Sequence, residues 1–201
     1  MLFDRSAQLD LSPEGGSQLV LNRGWLADLE ATALQRSLLQ TERWEEREIV
    51  LFGRRVMQPR LIAWAGDVPY KYSGQCLVAR RFSTELQELK ERVERHVGCQ
   101  FNHVLLNRYR SGQDSMGWHS DDERALGADP VLASLSLGCS RRFLLRPRAA
   151  LSQSPSLEIL LEHGDLLLMG GTLQQRYQHS VPKQGAVRAE RINLTFRRVH
   201  V

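Results

Sequence analysis

The chain has 201 residues, 27 Lys and Arg against 23 Asp and Glu, a formal net charge of +4 and 42% hydrophobic residues. That length suits one compact domain with a sizeable core, and the balance of apolar and charged residues excludes a disordered or collagen-like chain. No stretch reaches the roughly 20 apolar residues that a membrane-spanning helix needs, and the opening MLFDRSAQLDLSPEGG lacks the apolar segment of a secretion signal.

Three cysteines, Cys76, Cys99 and Cys139, are too scattered for a disulfide framework or a structural zinc site. A reduced compartment is expected, the cytoplasm, or the nucleus if the source is eukaryotic. The positive charge is gathered in arginine clusters: Arg54, Arg55 and Arg60; Arg141, Arg142, Arg146 and Arg148; Arg188, Arg191, Arg197 and Arg198. Planar guanidinium forks suit phosphate and carboxylate, and a solvated arginine-rich surface has the same composition.

In chain order, residues 24–40 predict an amphipathic helix with Leu26, Leu29, Ala33 and Leu34 on one face. EIVLFGRR predicts a strand and turn, and the Pro-, Gly- and Tyr-rich QPRLIAWAGDVPYKYSG reads as loops laid over a β core. Residues 84–97 predict a second helix, capped by Thr84 with Gln87, stopped by Gly98, and striped by Leu86, Leu89, Val93 and Val97. From residue 101 on, HVLLNRY, VLASLSLG, RFLLR, LEILLEHGDLLLM and RINLTFR are short apolar runs separated by turn residues, the pattern of a sandwich or barrel. No internal repeat interrupts this. One domain spans 1–201, with an N-terminal cover over about residues 1–80 and a β core over about 101–201.

His119-Ser120-Asp121 places an imidazole and a carboxylate two positions apart, on one side of an extended segment. With His179, in YQHSVP, they match a two-histidine, one-carboxylate facial triad. Three ligands on one face of an octahedron leave three positions, two for a chelating 2-oxo acid and one for O2. His96, His103, His163 and His200 have no comparable partners in sequence and read as structural or solvent-exposed. In the last run, period-2 alternation sets Arg191, Asn193, Thr195 and Arg197 on one face and the apolar residues on the other. Two arginines so placed repel unless an anion compensates them. A dicarboxylate would, through Arg191 or Arg197. Asn107 and Tyr109 share a face of their own run and offer further hydrogen bonds. Alternatively, the polar face is simply wet.

Taken together, NRYRSGQDSMGWHSDDE, VLASLSLG, HGDLLLMGG, YQHSVPK and RINLTFR, over roughly residues 102–198, resemble the AlkB-like Fe(II)- and 2-oxoglutarate-dependent dioxygenases. The upstream part looks most like the eukaryotic DNA-repairing members. The resemblance implies a mainly β fold with flanking helices, a double-stranded β-helix or jelly roll under an N-terminal nucleotide-recognition cover. It implies Fe(II) on His119, Asp121 and His179. It implies 2-oxoglutarate on Asn107, Tyr109, Arg191, Asn193, Thr195 and Arg197, with Arg191 pairing the distal carboxylate. It further implies that Phe52 acts as a wedge in the DNA, that Arg60 contacts substrate, and that Tyr70 and Tyr72 line the base pocket, Tyr72 stacking on the flipped base. Phe52 reads equally as a core residue of a short strand.

Asp122 and Glu123 carry a physical argument of their own. Bases alkylated at N1 of adenine or N3 of cytosine are cations, and acids beside the metal would favour them; the resemblance points to Asp122 more than to Glu123. The expected activity is oxidative dealkylation of N-alkylated bases such as 1-methyladenine and 3-methylcytosine in DNA, consuming 2-oxoglutarate and O2 and releasing succinate, CO2 and formaldehyde. The expected partner is alkylated DNA, with RNA as the alternative and no membrane or obligate protein partner. The rival readings are the same chemistry on RNA, tRNA or a protein side chain, a non-catalytic nucleic-acid-binding module, and a zinc hydrolase, which gives the paired arginines no role.

Overall fold

The computed structural model describes residues 8–13, 15–51, 54–72, 75–148 and 156–200. Two antiparallel sheets face each other. The larger contains β1 (Gln8–Asp10), β2 (Ser17–Asn22), β5 (Leu61–Gly66), β8 (His103–Tyr109), β10 (Leu132–Gly138), β13 (Leu166–Gly171) and β15 (Arg191–Arg197), in the order β1-β2-β13-β10-β15-β8-β5. The smaller contains β9 (Met116–His119), β11 (Arg141–Pro147), β12 (Leu157–Leu161) and β14 (Tyr177–Val181), in the order β12-β11-β14-β9. Two hairpins stand apart from both sheets, β3 (Glu48–Leu51) with β4 (Arg54–Met57) and β6 (Tyr70–Tyr72) with β7 (Gln75–Leu77). The architecture is the mainly β jelly roll with flanking helices that the sequence predicts.

Alternation explains how one strand serves two environments. The even residues of β15, Ile192, Leu194 and Phe196, enter an apolar layer with Val104 and Leu106 of β8 and Ala133, Leu135 and Leu137 of β10. Helices α1 (Asp28–Thr41) and α2 (Thr84–Val97) cover that layer with Ala31, Leu34 and Leu38, and with Leu86, Leu89 and Val93. The odd residues of β15 turn inward between the sheets and are buried as well. The polar face is therefore dry, and its charges need partners inside the protein or a ligand. A second apolar layer, including Leu145, Leu167 and Tyr177, holds the two sheets together. Among the described residues no helix is long and apolar enough to cross a membrane.

Several sequence expectations are corrected. Helix α1 begins at Asp28, so Leu26 is buried ahead of it; Leu29 is 88% exposed and Ala33 is exposed too. The true stripe, Ala31, Leu34 and Leu38, is rotated from the expected one because the phase was set by Leu26, which lies outside the helix. Helix α2 has the expected bounds, but its cap is Ser83, whose Oγ accepts from Leu86 N at 3.3 Å. Gly98 stops it in the left-handed region at φ 76°. The segment expected as loops contains β5, which pairs with β8 and contributes Ile62, Ala63, Trp64 and Ala65 to the core. A strand edged by proline and glycine turns was hidden by its flanks. Phe52 lies outside the described residues, as does the side chain of Tyr72.

Candidate active site

Strand pairing assembles the histidines. β9 runs beside β14 with His119 opposite His179, and the ring centroids are 4.2 Å apart. Asp121 follows β9, its backbone N–H held by Gln174 Oε1 at 3.0 Å, while Ser120 Oγ donates to Tyr177 O at 2.7 Å. The turn after β9 is thereby folded back, and a ligand atom from each of His119, Asp121 and His179 lies within 4.8 Å of the others. His119 Nδ1 lies 2.9 Å from Gly117 O, which leaves Nε2 for a metal. Phe143 stacks on His179 with centroids 5.3 Å apart.

The electrostatics suit a divalent cation. Burial pushes the His179 imidazole down from 6.5 to about 3, helped by His119, and burial also lowers His119. Both rings are neutral, ligand-ready bases near pH 7. Burial opposes the charge of Asp121, but Arg197 and the two histidines outweigh it and hold the carboxyl below its usual range. Arg197 Nη2 reaches both Asp121 oxygens, at 3.2 and 3.3 Å. Arg197 thus pairs with the candidate metal-ligand carboxylate and lines the adjoining cavity as well.

The same cavity continues between the sheets and is lined by Asn107, Tyr109, Arg191, Asn193, Thr195 and Arg197 together with the three metal-ligand candidates. Arg191 is 1% exposed. Its Nη2 donates to Ser136 Oγ at 2.9 Å, while Nε and Nη1 have no hydrogen-bond partner among the described residues. Unsatisfied donors on both edges of a buried guanidinium fit an anion. Asn107 Oδ1 accepts from Arg60 Nε at 2.7 Å, which leaves its NH2 as the remaining donor. Asn193 and Thr195 are engaged internally: Asn193 Nδ2 donates to Ser134 Oγ at 2.7 Å and Leu135 O at 3.1 Å, and Thr195 Oγ1 donates to Asn193 Oδ1 at 3.1 Å. They line the cavity as its wall. The donor set fits a divalent metal and a dicarboxylate side by side.

The residues expected at the substrate are more dispersed. Arg60 is buried against Asn107 and Ser115 O, beside the co-substrate cavity. Asp122 is exposed and paired with Arg148. Glu123 is the inward acid of the two, half-buried near Tyr70, and burial and the charge of Asp121 raise its carboxyl. The turn at Ser120 points alternate side chains in and out, so Asp122 faces outward and Glu123 inward. Tyr70 is fully buried, edge-on to His103 at 4.9 Å. Sequence reasoning gave no role to Gln174, Ser136, Arg141 or Phe143. Gln174 acts from the short helix Leu173–Arg176, Ser136 from β10, and Arg141 and Phe143 from β11, and nothing in their own neighbourhoods in the sequence marks them.

The profile of the 2OG-Fe(II) oxygenase superfamily matches residues 18–197. Alpha-ketoglutarate-dependent dioxygenase alkB homolog 3 of Homo sapiens is 38% identical over 200 residues, covering 96% of this chain and 70% of that protein. DNA oxidative demethylase ALKBH2 of Bos taurus is 38% identical over 158 residues, covering 75% of this chain and 57% of that protein. The solved structure of OsALKBH1 superposes with a TM-score of 0.65 at 15% identity, covering 96% of this chain and 100% of that one. A 2OG-Fe(II) family oxidoreductase from Burkholderia pseudomallei superposes with a TM-score of 0.59 at 13% identity, covering 89% and 84%.

Proposed function

The chain belongs to the 2OG-Fe(II) oxygenase superfamily and is an Fe(II)- and 2-oxoglutarate-dependent dioxygenase, and from that premise we propose that it removes alkyl groups from N-alkylated bases in DNA. The observation that carries the reading is the cavity in which His119, Asp121 and His179 stand beside the buried Arg191 guanidinium and its unsatisfied donors. The names of the two curated relatives, an alkB homologue and a DNA oxidative demethylase, support the substrate class.

His119, Asp121 and His179 would hold Fe(II), and Arg191 would hold the distal carboxylate of 2-oxoglutarate. Bound Fe(II), with 2-oxoglutarate and O2, supplies the oxidation that converts an N-methyl group to N-hydroxymethyl, with succinate and CO2 as co-products. The hydroxymethyl base is a hemiaminal, which expels formaldehyde and leaves the normal base. Arg197 keeps Asp121 ionised through both carboxylate oxygens, so the ligand stays charged in a dry site. Arg60 orients Asn107 so that its NH2 faces the co-substrate. Glu123, the inward acid beside Asp121, would favour a cationic alkylated base over a neutral one. Phe52 and Tyr72 complete this reading as wedge and stacking platform.

The test is a pair of short strands of one sequence, DNA and RNA, each carrying one 1-methyladenine. They are incubated together with protein, Fe(II), 2-oxoglutarate and O2 and followed by mass spectrometry. Loss of one methyl from the DNA strand first supports the reading. Preference for the RNA strand moves the activity to RNA. Two unchanged strands with succinate still forming refute nucleic-acid dealkylation and leave a protein side chain as substrate.

A further inference from the structure

The connection from β8 to β9 and the connection from β14 to β15 meet beside the Arg191 end of the cavity, and Arg141 of β11 ties them together. Arg141 is 1% exposed. Its Nη1 donates to Ser111 O at 3.1 Å, its Nη2 to Asp114 O and Pro182 O at 2.8 Å each, and its Nε to Gln184 Oε1 at 3.1 Å. The two connections are also laced directly, Gly112 N to Val187 O at 2.9 Å and Gln184 N to Gly112 O at 2.8 Å. They lie so close that a Cβ on Gly112 would sit 1.8 Å from Gln184 O.

Every acceptor of Arg141 is neutral. The nearby Asp114 carboxylate is bonded by Arg110, at 2.8 and 3.0 Å, and acts on Arg141 only through its field. Arg191 donates to the Ser136 hydroxyl and lies within reach of the Tyr109 side chain, both neutral groups. Both guanidiniums lie near one ring, Arg141 at 5.4 Å and Arg191 at 5.3 Å from the Tyr109 centroid. Burial depresses the pKa of each, and the charge of Arg141 adds to that effect at Arg191. Two buried cations without a paired carboxylate form an end that is incomplete until an anion enters. Arg191 has donors left for that anion, whereas Arg141 has spent its own on the two connections.

We infer that Arg141 is a positioning and specificity residue for the co-substrate: fixed beside Tyr109 by neutral acceptors, its charge makes the Arg191 end select a 2-oxo acid that carries a second carboxylate. The inference rests on the co-substrate reading above and needs nothing of the nucleic acid. A loop staple without an electrostatic role would weaken every ligand of the cavity alike.

The experiment is calorimetric titration of Mn(II)-loaded protein, without nucleic acid, with 2-oxoglutarate and with 2-oxopentanoate, which has the same chain length and no distal carboxylate. Wild type should prefer 2-oxoglutarate strongly. In Arg141→Met the affinity for 2-oxoglutarate should fall about tenfold or more while 2-oxopentanoate changes little. Arg141→Lys, which keeps the charge and loses the fork, should keep most of the preference despite a lower Tm. Arg141→Gln serves as the neutral form if the methionine variant does not fold. An unchanged preference in a folded neutral variant overturns the inference, as does a lysine variant that loses as much preference as the neutral one. A wild type without preference sinks the co-substrate reading itself, and this inference with it.

Discussion

Strand β15 and the β3–β4 hairpin hold their side chains in opposite ways. Every residue of β15 is buried, and its polar side chains are bonded to β10, to one another or to Asp121. Among the described residues the hairpin pairs with no strand but its own, and it carries outward side chains: Val56 is 43% exposed, Met57 48%, and Arg55 reaches Glu48 at 3.7 Å. A small, invariant co-substrate is met by a wall ordered before it arrives, which lowers the ordering cost of binding. A long, variable strand would be met by a projecting element free to adapt. The two regions should therefore fail separately.

The largest effect is expected at the wall. Asp121→Ala should abolish turnover and metal uptake, and loss of its buried ion pair with Arg197 should lower Tm as well. Retained Co(II) binding in this variant would break the assignment of the metal end. A smaller effect is expected at the hairpin. Arg55→Glu should weaken single-strand DNA binding several-fold and make its salt dependence shallower by about one unit of slope. An unchanged slope in fluorescence anisotropy would remove the hairpin from the nucleic-acid face.

The smallest effect is on acid stability. His103 is fully buried with neither ring nitrogen hydrogen-bonded among the described residues, and burial, then Arg197, lowers its pKa from 6.5 to about 3. The unfolded chain therefore takes up the proton first. Stability is complete above about pH 6.5 and is lost as pH falls from 6.5 towards 3. The Tm of metal-free protein should fall on acidification through that window. His103→Leu should remove part of the slope and leave the part that comes from His179 and His119, which burial lowers as well. An identical acid profile in the leucine variant would show that His103 contributes nothing.

The same contrast explains what the sequence revealed. The alternation in residues 191–197 survives folding because strand geometry turns spacing directly into facing, whereas Asp121 lies past the end of β9 and is brought to His119 by the turn that Ser120 and Gln174 hold. Strand β5 was concealed by Pro59 and Gly66 at its flanks, and the face of α1 by one leucine outside the helix. The dual placement of Asp122 and Glu123 depends on a turn fixed by Ser120 and Gln174, a contact across 53 residues that no local pattern encodes. Arg141 was legible only as one more member of an arginine cluster. Its acceptors come from two separate connections, so its role exists only in the folded chain.

The central claim, that the co-substrate wall and the nucleic-acid face are separable, is tested most directly by measuring KM for 2-oxoglutarate and for a 1-methyladenine oligonucleotide in Arg191→Ala and Arg55→Glu side by side. The account predicts that Arg191→Ala raises the 2-oxoglutarate KM by roughly 10- to 100-fold, the worth of a charge-assisted pair, with the oligonucleotide KM unchanged. Arg55→Glu should do the reverse, raising only the oligonucleotide KM. A variant that moves both constants together, or an Arg191→Ala protein with an unaltered 2-oxoglutarate KM, would contradict it.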